Sequence, residues 1–459
     1  MKYLLLFILI SGSLISAGQS CDCEKNIAGL LQFIEENQAS YQHQVVEMDR
    51  RNEYQQHKSH IIQLAARAIV KRDCADVVAL YLDFFRDEHS FLGLADTFDR
   101  KQHITSANRK KTKKPDFRYP HGIWHFSDSS FSVRMVPQSG FISSWAGVIE
   151  KDNSRNWKPG QVKIDFFITK KGELRCIYRR QNLVPRAFPV VFSDSVMRIG
   201  RNLTFYRTPP SPAKAAVQYS KPEFKSLSEH TNSIHLPSFD LSQKHSIDSV
   251  ILSNFASITS KPNLVIDIRN NGGGGFGAFD ELLPFISDRQ VVDQPFYASV
   301  WNSPYNLNYY DSVKYEFAET AEDSAQELSY VDFLKRYAGQ FSPIEPDTQL
   351  LPVVHTTPQR IALLFNRYSA SSAEGLILTA KQSSKVITIG ENSAGAVSYG
   401  DWITFQLPEL DLWVAVTTKK MIFPNNEYFE SVGIAPEHHL DTIPPDLWLE
   451  KAVNLLENK

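Results

Sequence analysis

The segment Ile361-Ala-Leu-Leu-Phe-Asn-Arg-Tyr-Ser-Ala-Ser371-Ser-Ala-Glu374-Gly-Leu-Ile-Leu378 carries the pattern on which the rest of the chain depends. It predicts a buried strand over 361–365, a turn of small residues, and a helix whose apolar residues recur at helical spacing. Ser371 then lies at a strand-to-helix corner, where unpaired N–H groups and the helix dipole favour a nucleophile and an oxyanion. The same residues fit a capping box, Ser371-x-x-Glu374, which would be purely structural. The segment alone leaves both interpretations open.

The first twenty residues have the layout of a cleavable secretory signal, with Lys2, an apolar run over 3–10 and small residues up to Ser20. The run is too short to span a bilayer. We therefore predict a secreted or periplasmic protein without stable membrane insertion. A lipid anchor on Cys21 is a less favoured alternative.

Four cysteines in an exported chain allow three disulfide pairings, and the sequence selects none of them. We favour Cys23 with Cys74, which leaves Cys176 as a free thiol. Cys21-x-Cys23 lacks a second pair of ligands at zinc spacing, so no metal site is expected.

The charge of the chain is close to neutral. Its 459 residues carry a formal charge of −2, which becomes −3 when Lys2 is removed with the signal. Nucleic acid is therefore not expected as a partner. The basic cluster over 109–114 fits a solvated loop.

Changes in hydrophobic periodicity along the sequence predict four parts. They are a signal over 1–20, a helical region over 21–100, a β-rich accessory domain over 101–225 and an α/β core over 226–459. In the helical region a late helix runs into Asp87-Glu-His89, so His89 should project from a helix end. Period-two patterning predicts strands over 123–126, 131–136, 141–149 and 162–166 of the β-rich domain, which ends near a proline-rich linker over 207–212.

The core alternates strands with helices, which is typical of an α/β fold. Strands are predicted over 234–239, 264–268, 361–365, 386–389 and 412–416. One helix should use apolar residues between 247 and 258, and an amphipathic helix over 446–456 should close the core.

A glycine loop, Asn270-Asn-Gly272-Gly-Gly-Gly275, follows the strand over 264–268. Gly272-x-Gly274-x-x-Gly277 matches the dinucleotide fingerprint formally, but the acidic residue expected about 20 positions later has no convincing candidate, since Asp293 lies in a polar stretch. The glycines do leave backbone N–H groups free to approach a ligand, which suits an oxyanion donor.

A serine nucleophile needs a base, and the base needs a group that orients it. The candidate bases are His89, His235, His355, His438 and His439. Composition and spacing do not choose among them, nor among the many carboxylates.

Three ordered motifs together resemble the S41 family of serine peptidases. They are Val265-Ile-Asp-Ile-Arg-Asn-Asn-Gly-Gly-Gly274, Asn366-Arg-Tyr-Ser-Ala-Ser371-Ser-Ala-Glu374 and Ile389-Gly-Glu391-Asn-Ser-Ala-Gly395. The resemblance covers about 234–440 and implies a crotonase-like (ClpP/crotonase type) protease core. No PDZ pattern is found.

The resemblance implies that Ser371 is the nucleophile and that the oxyanion hole uses the amide of Ser372 with that of Gly272 or Gly273. One branch of the family places a lysine base after the Gly-Glu strand, where this chain has Gly395-Ala396-Val397. Another branch uses an Asp-x-His histidine and a glutamate before a Gly-Ile/Val-x-Pro turn.

Asp87-Glu-His89 and Glu430-Ser-Val-Gly433-Ile-Ala-Pro436 match that second branch. The implied triad is Ser371, His89 and Glu430, with a polypeptide substrate and no cofactor. Two rivals remain: a peptide- or apolar-ligand-binding protein that has lost turnover, and acyl-CoA chemistry, which rests on analogy of fold alone. The sequence gives no oligomeric state or cleavage specificity.

Overall fold

The computed structural model describes residues 21–107, 118–209, 221–288, 291–293, 295–314, 321–343, 351, 355–424 and 427–458. The predicted signal, the basic cluster and residues 210–212 of the proline-rich linker lie outside these residues. Within them, no helix is both long and apolar enough to cross a membrane.

Helices dominate the N-terminal region and recur through the second half of the chain. The α-helices are α1 Cys23–Asn37, α2 Ala39–Tyr41, α3 Arg51–Ala65, α4 Lys71–Leu82, α5 Lys244–Ser253, α6 Phe255–Ser260, α7 Leu283–Ile286, α8 Pro304–Val313, α9 Ala321–Lys335, α10 Ser372–Ala380 and α11 Trp448–Glu457. A π-helical segment, Gln42–Glu47, follows α2.

The predicted β-rich domain is a closed, antiparallel eight-stranded barrel. Its strands are β2 Ile123–Phe126, β3 Phe131–Pro137, β4 Trp145–Asp152, β5 Val162–Ile168, β6 Leu174–Arg179, β7 Pro185–Phe192, β8 Val196–Ile199 and β9 Leu203–Tyr206. His125 of β2 pairs with Tyr206 of β9, which closes the barrel and removes its open edges. Closure is a property that the alternating pattern of single strands does not reveal.

Two sheets make up the remainder. A six-stranded sheet has the order β10 Glu223–Ser226, β11 Thr231–His235, β12 Asn263–Asp267, β14 Arg360–Phe365, β15 Val386–Gly390 and β18 His438–His439. A four-stranded antiparallel sheet has β17 Leu412–Ile422 pairing with β1 Leu92–Leu94, β13 Tyr297–Val300 and β16 Tyr399–Leu407.

The strands β11, β12, β14, β15 and β18 are parallel, so their carboxyl ends meet at one edge of the sheet. Asp267 pairs with Leu364 and Phe365 with Gly390. The loops that follow β12, β14 and β15 therefore emerge side by side, at the edge where open α/β sheets bind their ligands.

Side chains from the strands fill separate cores on the two faces of this sheet. Val265, Leu364 and Ile389 pack against Trp448 and Leu456 of α11, as its amphipathic pattern predicts. The opposite face packs against α5, α6, α7 and α10.

The helical region shares one core with β16, β17 and part of the barrel. A disulfide joins Cys23 to Cys74, while Cys21 and Cys176 are free thiols. The favoured pairing is thus the one found, and it fastens α1 to α4.

Three predicted boundaries differ from the structure for local reasons. The strand predicted over 234–239 is found at Thr231–His235, and Pro237, which has no N–H to donate, follows soon after it. The helix expected over 247–258 is broken at Asn254, whose side chain donates to the Val250 carbonyl. The strand predicted from 141 begins at Trp145 because Gly140 and Ser143 form a turn.

The strand predicted over 412–416 also differs: it extends to Ile422 and belongs to the four-stranded sheet. Residues 92–94, which lie inside the predicted helical region over 21–100, form the strand β1, which pairs with β17. Pairing between strands so far apart in sequence is not visible in either local pattern.

Candidate active site

Ser371 lies at the strand-to-helix corner that the sequence predicts, between β14 and α10. Its backbone has φ 57° and ψ −122°, a conformation that a non-glycine residue adopts at a cost. Such a corner projects the side chain outward from the sheet edge, as in other nucleophile turns.

Glu374 holds this corner in place. Its side chain is fully buried and accepts the Ser371 N–H at 3.1 Å, as the capping-box pattern predicts. The carboxylate also accepts the Ser393 hydroxyl at 2.6 Å and the N–H groups of Gly395 and Ala396 at 2.7 and 2.8 Å. One carboxylate therefore ties the nucleophile turn to the loop after β15.

This wider role of Glu374 was missed by the sequence analysis, which treats it only as a cap. Burial raises the pKa of Glu374, and the four hydrogen bonds act in the opposite direction. The one sequence signal for the wider role is a charged residue in the first turn of an otherwise apolar helix.

His89 reaches Ser371 from the N-terminal region. Its Nε2 lies 3.2 Å from Ser371 Oγ, within the range expected of a nucleophile and its base. The two residues are 282 positions apart in sequence, and the fold brings them together.

The segment around His89 is held by Asp87, which is 2% exposed. One oxygen of Asp87 accepts the His89 N–H at 3.0 Å. The other accepts the hydroxyls of Ser90 at 2.9 Å and Thr417 at 2.6 Å. Since Thr417 lies on β17 and β1 pairs with that strand, the four-stranded sheet positions the histidine.

Glu430 lies beside this segment but bonds its backbone. It is 1% exposed and accepts the Glu88 N–H at 2.8 Å and the Ser398 N–H at 2.9 Å. Nδ1 of His89 is buried and has no hydrogen-bond partner among the described residues. The fold thus brings Ser371 and His89 into contact and places Glu430 at the residue before the histidine.

Burial disfavours the charged forms of His89 and Glu430, whereas the N–H groups of Glu88 and Ser398 favour the charged form of Glu430. Burial lowers the pKa of His89, and the carboxylates of Asp87, Glu88 and Asp401 act in the opposite direction. Burial, and then the charge of Asp87, raises the pKa of Glu430 well above its usual range. A neutral imidazole is the form that can accept a proton.

The glycine loop packs directly against the nucleophile turn. A Cβ on Gly273, where φ is 91°, would lie 2.6 Å from the Ala370 carbonyl and 2.7 Å from the Ser371 Cβ. Glycine is therefore required there by space as well as by backbone conformation.

The two candidate loop amides differ in availability. The Gly273 N–H already donates to Asn271 Oδ1 at 2.9 Å. The N–H groups of Gly272 and Ser372 donate to no described residue. Of the three amides that the sequence nominates, Gly272 and Ser372 are thus the two available to an oxyanion.

The other histidines make different contacts. His235 lies 3.4 Å from the Asp267 carboxylate, and His355 packs against Phe255 and Phe285. His439 lies 3.3 Å from Asp441 on the surface, and His438 belongs to β18. Among the described histidines, His89 is the one that bonds Ser371.

Ser371 and His89 open into a cleft of about 630 Å³ between the core, the helical region and the barrel. Arg201 of the barrel donates to the carbonyls of Ser393 and Ala394 at 2.8 and 2.9 Å. The Tyr368 hydroxyl donates to the Asn202 carbonyl at 3.0 Å. The barrel is therefore fastened to both loops beside the nucleophile.

Comparison of the sequence with known protein families shows which class of enzyme the site resembles. A sequence model described as peptidase family S41 matches residues 230–440, which include Ser371 and the glycine loop but not His89. None of the curated proteins matches the chain.

Solved structures of similar fold cover almost the whole chain. Mature CPAF complexed with lactacystin is 13% identical, with 95% of this chain and 99% of that chain covered and a TM-score of 0.52. Mature CPAF alone is 12% identical, with 95% and 96% covered and a TM-score of 0.51. At 12–13% identity, the similarity to the two CPAF structures shows a shared fold alone. The photosystem II D1 C-terminal processing protease is 14% identical, with 93% and 95% covered and a TM-score of 0.39.

The matched domain, with its nucleophile corner and glycine loop, makes this chain a serine-type peptidase by class. The part of the chain over residues 230–440 matches peptidase family S41.

Proposed function

We propose that this chain is an endopeptidase that cleaves polypeptides through an acyl-enzyme on Ser371, with His89 as general base. The observation that carries the proposal is the 3.2 Å contact between Ser371 Oγ and His89 Nε2 in an open cleft.

In the first step Ser371 Oγ attacks the carbonyl carbon of the scissile bond, and its proton passes to His89 Nε2. The N–H groups of Gly272 and Ser372 hold the oxyanion that forms. His89 then gives the proton to the leaving amine as the C–N bond breaks. A water molecule, deprotonated by His89 in turn, hydrolyses the ester.

Glu430 is proposed as the third member of the triad, acting in two ways. Its bond to the Glu88 N–H fixes the backbone next to His89, which supports a positioning role. Its carboxylate would also accept the Nδ1–H of His89 once the imidazole gains a proton. That second contact is absent from this structure, so the role of Glu430 rests on sequence resemblance and proximity.

Activity of single variants on an unfolded protein substrate tests the assignment. Ser371→Ala should abolish hydrolysis, since alanine fits the corner but supplies no nucleophile. His89→Ala should lower kcat/KM by about 10⁴-fold or more. Glu430→Gln should lower it less, because the base remains. Hydrolysis surviving in purified Ser371→Ala protein would overturn the proposal.

The alternative is a binding protein that has kept the cleft and lost turnover. The unpartnered Nδ1 of His89 favours it, because a triad base is normally oriented through that atom. Such a protein would bind unfolded polypeptides equally well in the wild-type form and in the Ser371→Ala form. Neither form would cleave them.

Export and domain organisation complete the proposal. The layout of residues 1–20 and the disulfide between Cys23 and Cys74 both support a secreted or periplasmic location, since disulfides persist in oxidising compartments. We assign a helical region over 21–100, an accessory domain over 101–225 and a crotonase-like core over 226–459. The parallel strands packed between helices support the crotonase-like assignment.

A further inference from the structure

The cleft that contains Ser371 and His89 is lined by an unusual number of arginines. They are Arg86, Arg175, Arg180, Arg186, Arg201 and Arg367. Among the described residues, the acidic ones that line the same cleft are Asp83, Asp87 and Glu88. The chain as a whole is nearly neutral, so this local excess needs a separate explanation.

Three of the arginines are neutralised by carboxylates of the protein. Arg175 pairs with Asp83, Arg186 with Glu88 and Arg367 with Glu391. These pairs stabilise the cleft walls and leave no net charge for a ligand.

The guanidinium of Arg201 donates to the carbonyls of Ser393 and Ala394. It therefore joins the barrel to the loop after β15. Asp87 does not offset the remaining charge at the surface, because it is buried and already accepts three hydrogen bonds. The acidic groups that line the cleft are thus all engaged.

Arg86 and Arg180 differ from the other four. Both are exposed, and neither side chain makes a hydrogen bond or ion pair with any described residue. Arg86 lies three residues before His89, and Arg180 lies in the turn between β6 and β7 of the barrel. The two therefore approach the cleft from different parts of the fold.

The surroundings of Arg180 make a carboxylate partner favourable. Partial loss of water and then the like charge of Arg186 lower the pKa of Arg180, so its positive charge lies in a setting that disfavours it. A guanidinium binds a carboxylate through two parallel hydrogen bonds, which compensates for lost water.

We propose that Arg86 and Arg180 select polypeptide substrates that carry a glutamate or aspartate side chain close to the scissile bond. This inference rests on the proposed peptidase function and names the substrate class of the same site. It predicts a protease that cleaves in acidic segments.

The test uses internally quenched peptides built on a site that the wild-type protein cleaves in an unfolded protein. All peptides are acetylated and amidated, and one glutamate, one glutamine or one lysine is placed at each position flanking the cleaved bond. We expect kcat/KM to be about tenfold higher for glutamate than for glutamine at one position or more, which is the effect of a single hydrogen bond to a charged group. The preference should weaken in about 1 M salt, because the arginines are exposed.

Variants of the two arginines then identify the source of the preference. Arg180→Gln, Arg86→Gln or their combination should reduce the ratio to near one, and Arg180→Glu should turn it in favour of lysine. Arg198→Gln removes an exposed arginine of β8 outside the cleft and should leave the ratio unchanged. Circular dichroism checks that each variant is folded.

Two results would overturn the inference. They are equal rates for glutamate and glutamine at all positions, and a preference that persists in the combined variant. Each requires a wild-type protein that cleaves peptides. If it cleaves none, the proposed function itself fails, which is a separate outcome.

Discussion

At the scale of single residues, the site depends on the contact between Ser371 and His89. The corner holds the serine at a positive φ, and Asp87 holds the histidine segment by its backbone. The local pattern makes Ser371 a candidate, whereas the choice of His89 among five histidines comes from the resemblance of Asp87-Glu-His89 to one branch of the S41 family. The choice between Gly272 and Gly273 could not be predicted, because it depends on where the Asn271 side chain turns.

The pH dependence of kcat/KM tests His89 as the base. The base must be neutral, and burial lowers the pKa of His89 below its usual value of about 6.5. Activity should therefore be retained as the pH falls to about 6.5 and be lost only below that value. Steady-state rates on one peptide between about pH 4 and 9 measure this limb.

A limb that lies above about pH 7 would contradict this assignment and indicate another base. The matched control is His439→Ala, which removes an exposed histidine elsewhere and should leave the profile unchanged.

At the scale of elements, the carboxyl edge of the parallel strands is the organising feature. The loops after β12, β14 and β15 supply the glycine loop, the nucleophile and the residues that Glu374 holds. The alternation of strands and helices in the core could be predicted from periodicity. The pairing of β1 with β17, which delivers His89, could not, because neither strand carries a local signal for its partner.

Glu374 is expected to position the nucleophile turn. In the wild type, the N–H groups of Gly395 and Ala396 donate to the two oxygens of Glu374. Glu374→Gln replaces one of these oxygens with an NH₂ group, which cannot accept, so the loop after β15 should shift. We expect kcat to fall about 10²-fold with a smaller change in KM, and the free energy of unfolding to fall by about 2 kcal/mol, the cost of unmatched buried polar groups.

Glu437→Gln is the control, since Glu437 is exposed and its hydrogen bonds to described residues all go to Thr388 of the neighbouring strand β15. A Glu374→Gln protein with wild-type kcat would show that the loop and the turn need no such link. A fall in stability without a fall in kcat would make the residue structural only.

At the scale of the whole molecule, the barrel and the helical region are joined by a buried ion network. Arg179 of β6 bonds Asp76 of α4 at 2.6 Å and Asp165 of β5 at 2.7 Å. Arg72 of α4 also bonds Asp165, at 2.6 Å. A β-rich domain could be predicted from the sequence, but its closure into a barrel and this network could not, since the network joins α4 to strands β5 and β6 about 90 to 100 residues further along the chain.

Removing one member of the network should loosen that junction. Asp76→Ala leaves Arg179 buried with half of its partners, and loss of one partner from a buried pair costs about 3–5 kcal/mol. The midpoint of urea unfolding measures the loss. The exposed pair of Arg134 and Glu150 on the barrel is the control, and Glu150→Ala should cost less than about 1 kcal/mol. Equal effects of the two variants would contradict a joining role.

The central claim is that His89 activates Ser371 for covalent chemistry. Mass spectrometry of the protein treated with a fluorophosphonate tests it most directly, because the reagent forms a stable bond with an activated serine oxygen. We predict one adduct per chain on the peptide that contains Ser371, no adduct there in Ser371→Ala, and labelling slower by about 10³-fold or more in His89→Ala. An adduct on another residue, or equal labelling rates in wild type and His89→Ala, would contradict the account.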